Sequence, residues 1–92
     1  PPQGFRTGGA EFLYPSNQRI LAYIRNYQDE EILLVVNNLS RHPQPVQLDL
    51  KKYKGYVPVE MFGNISFPKI DETPYSLSLG PHGFYWFKLL KV

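Results

Sequence analysis

Four aromatic residues in a row, Phe84-Tyr85-Trp86-Phe87, follow directly on the turn-forming residues Gly80-Pro81-His82-Gly83, and few folds accept that arrangement. In a β-strand successive side chains point to opposite faces, so two of the four rings face away from the other two. Either both faces of this strand are covered or one of them is adhesive. The run Ile32-Leu33-Leu34-Val35-Val36, closed by Asn37-Asn38, makes the same demand. It is apolar on both faces and too short and β-branched for a helix, so it is expected to be a central strand.

The rest of the chain supplies shorter strands between turns. Ile20, Ala22 and Ile24 share one face of a strand from Arg19 to Asn26, and Gln28-Asp29-Glu30 then turns it into the Ile32 run as a hairpin. Val46, Leu48 and Leu50 alternate with Gln47, Asp49 and Lys51, while Pro43 and Pro45 put the start of that strand on a sheet edge or in a bulge. Lys54-Gly55 leads into a strand from Val57 to Phe62, and Gly63-Asn64 leads out. Ile65 to Thr73 reads as an irregular excursion, after which Tyr75, Leu77 and Leu79 alternate with serines. The Gly80 to Gly83 turn is expected to join this strand to Phe84–Leu90 as the last hairpin. Glu11 to Tyr14, stopped by Pro15, is a short strand or a single helical turn. The expected class is all-β, an antiparallel Greek-key sandwich of about six to eight strands.

With 92 residues there is room for one domain and one modest core, because a chain of this size buries only about 60% of the surface its unfolded form exposes. Residues 1–10, rich in proline and glycine, read as a linker, and residues 11–92 as the domain. The start at Pro1-Pro2 without an initiator Met is expected of a piece cut from a longer polypeptide. The absence of cysteine removes any need for an oxidising compartment, so cytoplasm is the default expectation. No apolar run approaches the ~20 residues of a membrane span. The net charge is only +2 and scattered. Lys51-Lys52-Tyr53-Lys54 is the one basic cluster, and edge lysines that discourage strand pairing explain it without nucleic acid.

Catalytic chemistry is not legible. His42 and His82 fall in turns, and no Gly-x-Ser-x-Gly elbow is present. Two distant histidines without cysteine make a poor transition-metal set, and neither Asp29-Glu30-Glu31 nor Asp71-Glu72 has the alternate oxygen spacing of a calcium loop. No cofactor is expected in this domain. Asn38-Leu39-Ser40 and Asn64-Ile65-Ser66 match the glycosylation pattern and are expected to be chance matches.

Three blocks carry a resemblance to a known family. They are Arg19 to Arg25 followed by Ile32–Val36, Asn38-Leu39-Ser40-Arg41 and Pro43-Gln44-Pro45-Val46; Val57-Pro58-Val59-Glu60-Met61-Phe62-Gly63; and Leu79-Gly80-Pro81-His82-Gly83 with the aromatic run. With Glu11-Phe12-Leu13 they span nearly all of residues 4–90. The chain resembles the C-terminal all-β domain of the α-amylase superfamily, glycoside hydrolase family 13, in its trehalose synthase (maltose α-D-glucosyltransferase) subgroup. The resemblance implies a sandwich following a (β/α)8 barrel that holds the catalytic carboxylates and, in members that bind it, calcium. It also implies that a maltokinase region follows Val92 in fused members. None of the barrel motifs occurs here, so the resemblance assigns no catalytic residue to this chain.

Two roles follow as expectations. In the first the domain is a structural accessory that packs an apolar face on the barrel. In the second it is a carbohydrate-binding module whose exposed aromatics stack on α-glucan or maltose. The candidate barrel-docking or sugar-stacking residues are Tyr53, Tyr56, Tyr75, Tyr85 and Phe87.

Overall fold

A computed structural model describes residues 9–26 and 31–92. Among the described residues the strands are β1 (Gly9–Leu13), β2 (Ile20–Asn26), β3 (Ile32–Asn38), β4 (Gln44–Leu48), β5 (Tyr56–Glu60), β6 (Ile65–Ser66), β7 (Tyr75–Leu79) and β8 (Phe84–Lys91), with a 3-10 turn at Lys51–Tyr53. Six of them form a sheet in the order β1-β2-β3-β8-β5-β6, and β4 with β7 forms a second, two-stranded sheet. Every pairing among the described residues is antiparallel. The chain crosses between the sheets after β3, β4, β6 and β7, and returns β8 beside β3, in Greek-key fashion.

The sandwich matches the expected class, and the Ile32–Asn38 strand is central and paired with β2, as its doubly apolar run and the expected hairpin predict. The predicted last hairpin does not exist. β7 pairs with β4, whereas β8 lies between β3 and β5 in the other sheet. A strand that is apolar on both faces needs neighbours on both edges, which the two-stranded sheet cannot provide. The turn residues mark the reversal correctly but say nothing about which strand is the partner. Two boundaries also move. Gly9 and Ala10 belong to β1, inside the segment read as linker, and Ile65–Ser66 forms a short hairpin arm with β5 inside the predicted irregular stretch. Residues 1–8 and the Gln28-Asp29-Glu30 turn lie outside the described residues.

The core fills the space between the unequal sheets. Ile20, Ala22 and Ile24 of β2, Leu34 and Val36 of β3, and Phe87 and Leu89 of β8 meet Val46 and Leu48 of β4 and Tyr75, Leu77 and Leu79 of β7. Two strands cannot cover six, so a loop completes the lid. Ile70 is buried there, its N–H donating to Tyr56 O at 2.9 Å and its carbonyl accepting from Gly55 N at 2.8 Å. Tyr75 is buried beside it and donates its hydroxyl to Pro68 O at 2.6 Å. Burial pushes this phenol up to about 12.

A single side chain holds the crossings together. Asn38 is buried, and its Nδ2 donates to His42 O at 2.8 Å and to Gly80 O at 2.9 Å, while its Oδ1 accepts from Ser40 N at 2.9 Å. Its main-chain N–H donates to Gly83 O at 2.8 Å. Ser40, also buried, accepts the His42 N–H on its hydroxyl at 2.9 Å and the His82 N–H on its carbonyl at 2.9 Å. The β3–β4 connection and the β7–β8 turn are thus fastened to one another. Within the turn Gly83 donates to Gly80 O at 2.8 Å, and a Cβ on Gly83 would stand 2.9 Å from that same oxygen.

Urea unfolding measures these elements. Asn38→Ala should cost about 2 kcal/mol, because the His42 and Gly80 carbonyls and the buried Ser40 N–H lose their partner. Gly83→Ala should cost about 1–2 kcal/mol, since the turn backbone must shift to accept the methyl group. The Tyr75 phenol stays protonated in the folded chain after it has ionised in the unfolded one. Stability should therefore be unaffected below pH about 10 and fall as the pH rises toward about 12. Tyr75→Phe should flatten that alkaline loss while costing about 1 kcal/mol near pH 7 through the lost hydrogen bond.

Candidate functional site

The five aromatic candidates do not form one site. Phe87 is 0% exposed, at the centre of the core, and Tyr75 is buried in the other sheet. Neither ring is open to a sugar or to a neighbouring domain, because odd-numbered positions of both strands point inward. Tyr85 is half-buried and stacked on Phe87 with ring centres 5.1 Å apart, and Phe67 packs edge-on against both at 5.3 and 4.9 Å. Tyr53 and Tyr56 meet edge to face at 5.9 Å, and Lys52 and Lys91 lie over their rings at 5.7 and 5.9 Å. Burial, ahead of the opposing effect of the Lys52 charge, pushes the Tyr53 phenol up.

The open rings are the ones of opposite parity. Phe84 is 52% exposed, Trp86 40% and Phe62 71%, and the Phe62 ring meets Phe84 at 5.8 Å and Trp86 at 6.1 Å, both edge to face. Register extends this cluster across the sheet. Trp86 lies opposite Val35, Val35 opposite Tyr23, and Tyr23 opposite Phe12, whose rings are 5.6 Å apart. Side-chain pairs directly across antiparallel strands touch, so these residues form a continuous apolar row over the outer face of the six-stranded sheet. Leu21 and Leu90 are exposed beside it, and Val35 within it and Leu33 next to it are buried although they face away from the core. The sequence holds the signal for the parity: Phe87 and Leu89 continue inward in step, with Lys88 and Leu90 outward.

The outer face of the small sheet is polar instead. Pro45, Gln47, Ser76 and Ser78 are exposed there and, with Ser16 and Asn17, line an open trough of about 540 Å³. Asn17 Nδ2 bridges Gln44 Oε1 at 2.9 Å and Pro45 O at 2.7 Å, which caps the open edge of β4.

The described acidic residues and the lysines of the basic cluster are committed to local structure. Lys51, Lys52 and Lys54 pair with Asp49, Glu11 and Glu72 at 3.4, 3.2 and 2.7 Å. The basic cluster is therefore neutralised residue by residue, which leaves little to attract a polyanion. The hydrogen bond to Glu11 raises the Lys52 pKa. Glu31 pairs with Lys88 at 3.4 Å. Glu60 accepts the N–H groups of Phe62 and Gly63 at 3.0 and 2.6 Å, and Asp71 accepts the hydroxyl and N–H of Thr73 at 2.6 and 2.9 Å. The Thr73 hydroxyl lowers the Asp71 pKa. A glycoside-cleaving pair needs one carboxyl held protonated beside an ionised partner, and none of these carboxylates is so placed. Among the described residues no group of three or more His, Cys, Asp or Glu is gathered as a metal site. Asn38, the first of the glycosylation matches, is buried with its amide nitrogen in use. No helix is long and apolar enough to cross a membrane among the described residues.

Comparison with known proteins agrees with this architecture. Residues 10–86 match the family model of the maltogenic amylase C-terminal domain. The chain is 51% identical over 88 residues to a trehalose synthase of Pimelobacter sp. (strain R48), covering 92% of this chain and 15% of that protein. It is 48% identical over 87 residues to a trehalose synthase/amylase of Mycobacterium tuberculosis (strain CDC 1551 / Oshkosh), covering 14% of it, and 47% identical over 88 residues to a trehalose synthase of Thermus thermophilus, covering 9%. The chain thus spans only a small part of the length of these relatives. Among solved structures the same fold occurs in a β-L-arabinopyranosidase of Geobacillus stearothermophilus, with a TM-score of 0.74 at 17% identity over 91% of this chain and 20% of that one. It occurs also in an Anoxybacillus α-amylase, with a TM-score of 0.68 at 18% identity over 91% and 18%. The chain belongs to the family of maltogenic amylase C-terminal domains.

Proposed function

We propose that this chain is the non-catalytic accessory domain of an enzyme that isomerises maltose to trehalose by intramolecular glucosyl transfer. The observation that carries the reading is the 51% identity to a trehalose synthase along 92% of the chain. The carboxylates, histidines and serines described above serve caps, turns and ion pairs. The reaction therefore belongs to a preceding (β/α)8 barrel, and calcium, where the enzyme holds it, belongs to that barrel too. The domain's role is to stabilise the barrel by packing on it. A cytoplasmic setting and a maltokinase region after Val92 in fused relatives are part of the same proposal.

The carbohydrate-binding alternative requires a platform of open, coplanar rings. Of its candidate rings, Phe87 and Tyr75 are buried, and Tyr53 meets Tyr56 edge to face. Two measurements test the reading. The full-length polypeptide should convert maltose to trehalose, and a product other than trehalose would refute the assignment of the reaction. Maltose, trehalose and maltodextrin added to the 92-residue chain should leave its amide chemical shifts unchanged, and saturable binding with Kd of about 1 mM or tighter would establish the binding-module alternative.

A further inference from the structure

We infer that the outer face of the six-stranded sheet, along the row Phe12, Tyr23, Val35, Trp86 and Phe62 with Phe84, is the surface on which the catalytic part of the same polypeptide sits. The inference rests on the reading that such a part precedes the domain, and it specifies which face meets it.

Three observations select the face and its occupant. The row is continuous across β1, β2, β3 and β8, and its open rings, Phe62, Phe84 and Trp86, are of the kind that anchor interfaces. Monomers rarely leave such a cluster of open rings in water. The opposite side of the sandwich offers Pro45, Gln47, Ser76 and Ser78, which suit solvent. The path of the chain names the occupant. It enters the fold at Gly9 on β1, the edge strand of this sheet, three residues before Phe12 at the end of the row. Whatever precedes Gly9 is delivered to the rim of this face, and a covalent tether raises its local concentration there far above that of a free partner. The relatives have the mass to cover it, since this chain amounts to only 15%, 14% and 9% of their lengths.

The arrangement also has the anatomy of an interface. Its centre carries aromatic and aliphatic side chains. Its charge lies to the side, where Lys88 is held by Glu31 at 3.4 Å. The turn carrying Phe62 is fixed by the two N–H bonds to Glu60, so the most exposed ring is held in place before contact.

Hydroxyl-radical footprinting of the native full-length polypeptide, normalised to the same polypeptide unfolded in urea, reads the burial of each ring directly. On the proposal Phe62, Phe84 and Trp86 are protected roughly tenfold or more, whereas rings as open as they are in the domain alone would show protection of about two-fold. Two-fold protection at all three overturns the proposal. So does strong protection that disappears on dilution together with a halving of the sedimentation mass, because the occupant is then a second copy. A Phe62→Asp/Phe84→Asp variant of the full-length polypeptide should release the domain to limited proteolysis roughly tenfold faster, while a Gln47→Asp/Ser76→Asp variant should leave the rate unchanged. The reverse pattern would move the interface to the small sheet. A polypeptide that protects these rings yet makes no trehalose from maltose would refute the proposed reaction and leave the docking face standing.

Discussion

The buried amide of Asn38 sets the terms for everything around it. Where a chain leaves one sheet for another, its backbone loses the ladder partners that a strand would give it, and in an apolar interior those groups must find others. One side chain with two donors and an acceptor answers three of them at once, joining the connection that follows β3 to a turn 42 residues on from Asn38. Ser40 answers two more. Because both crossings pass through this joint, the spacing of the sheets, the entry angle of β8 and the parity of its aromatics are set together.

That parity decides what the domain presents to its surroundings. Phe87 and Leu89 complete the core, so Phe84 and Trp86 are left outside, and the unequal sheets concentrate the leftover apolar surface on one side. The small sheet spends its outward positions on serine and glutamine. The two exteriors of the sandwich therefore differ in character, one apolar and aromatic, the other polar.

Much of the fold was legible in the sequence, since periodicity reports burial. The alternation in β2, β4 and β7 and the doubly apolar β3 each gave the right element and the right inward face. Pairing was less legible. Gly80-Pro81-His82-Gly83 looks the same whether it closes a hairpin or carries the chain to the opposite sheet, and only the tertiary requirement for two edge partners distinguishes them. The aromatic row failed for a related reason. Four consecutive rings contain no alternation, so the inward pair had to be inferred from Leu89 beyond them, and choosing Tyr85 and Phe87 as outward residues reversed it. Phe12 and Phe62 sit in short or turn-adjacent segments whose position beside Trp86 depends on strand order, a long-range property that local pattern does not encode.

Strand order also fixes a sequence of events during synthesis. β8 fills the slot between β3 and β5, so the six-stranded sheet consists of two separate pieces until the last strand, ending at Lys91, has left the ribosome. In that interval β3 and β5 expose unpaired edges, and β3 is buried at six of its seven positions in the finished fold. Long-range pairings of this kind form slowly, and open apolar edges invite pairing with other chains. The six-stranded sheet therefore closes only when β8 reaches the slot between β3 and β5.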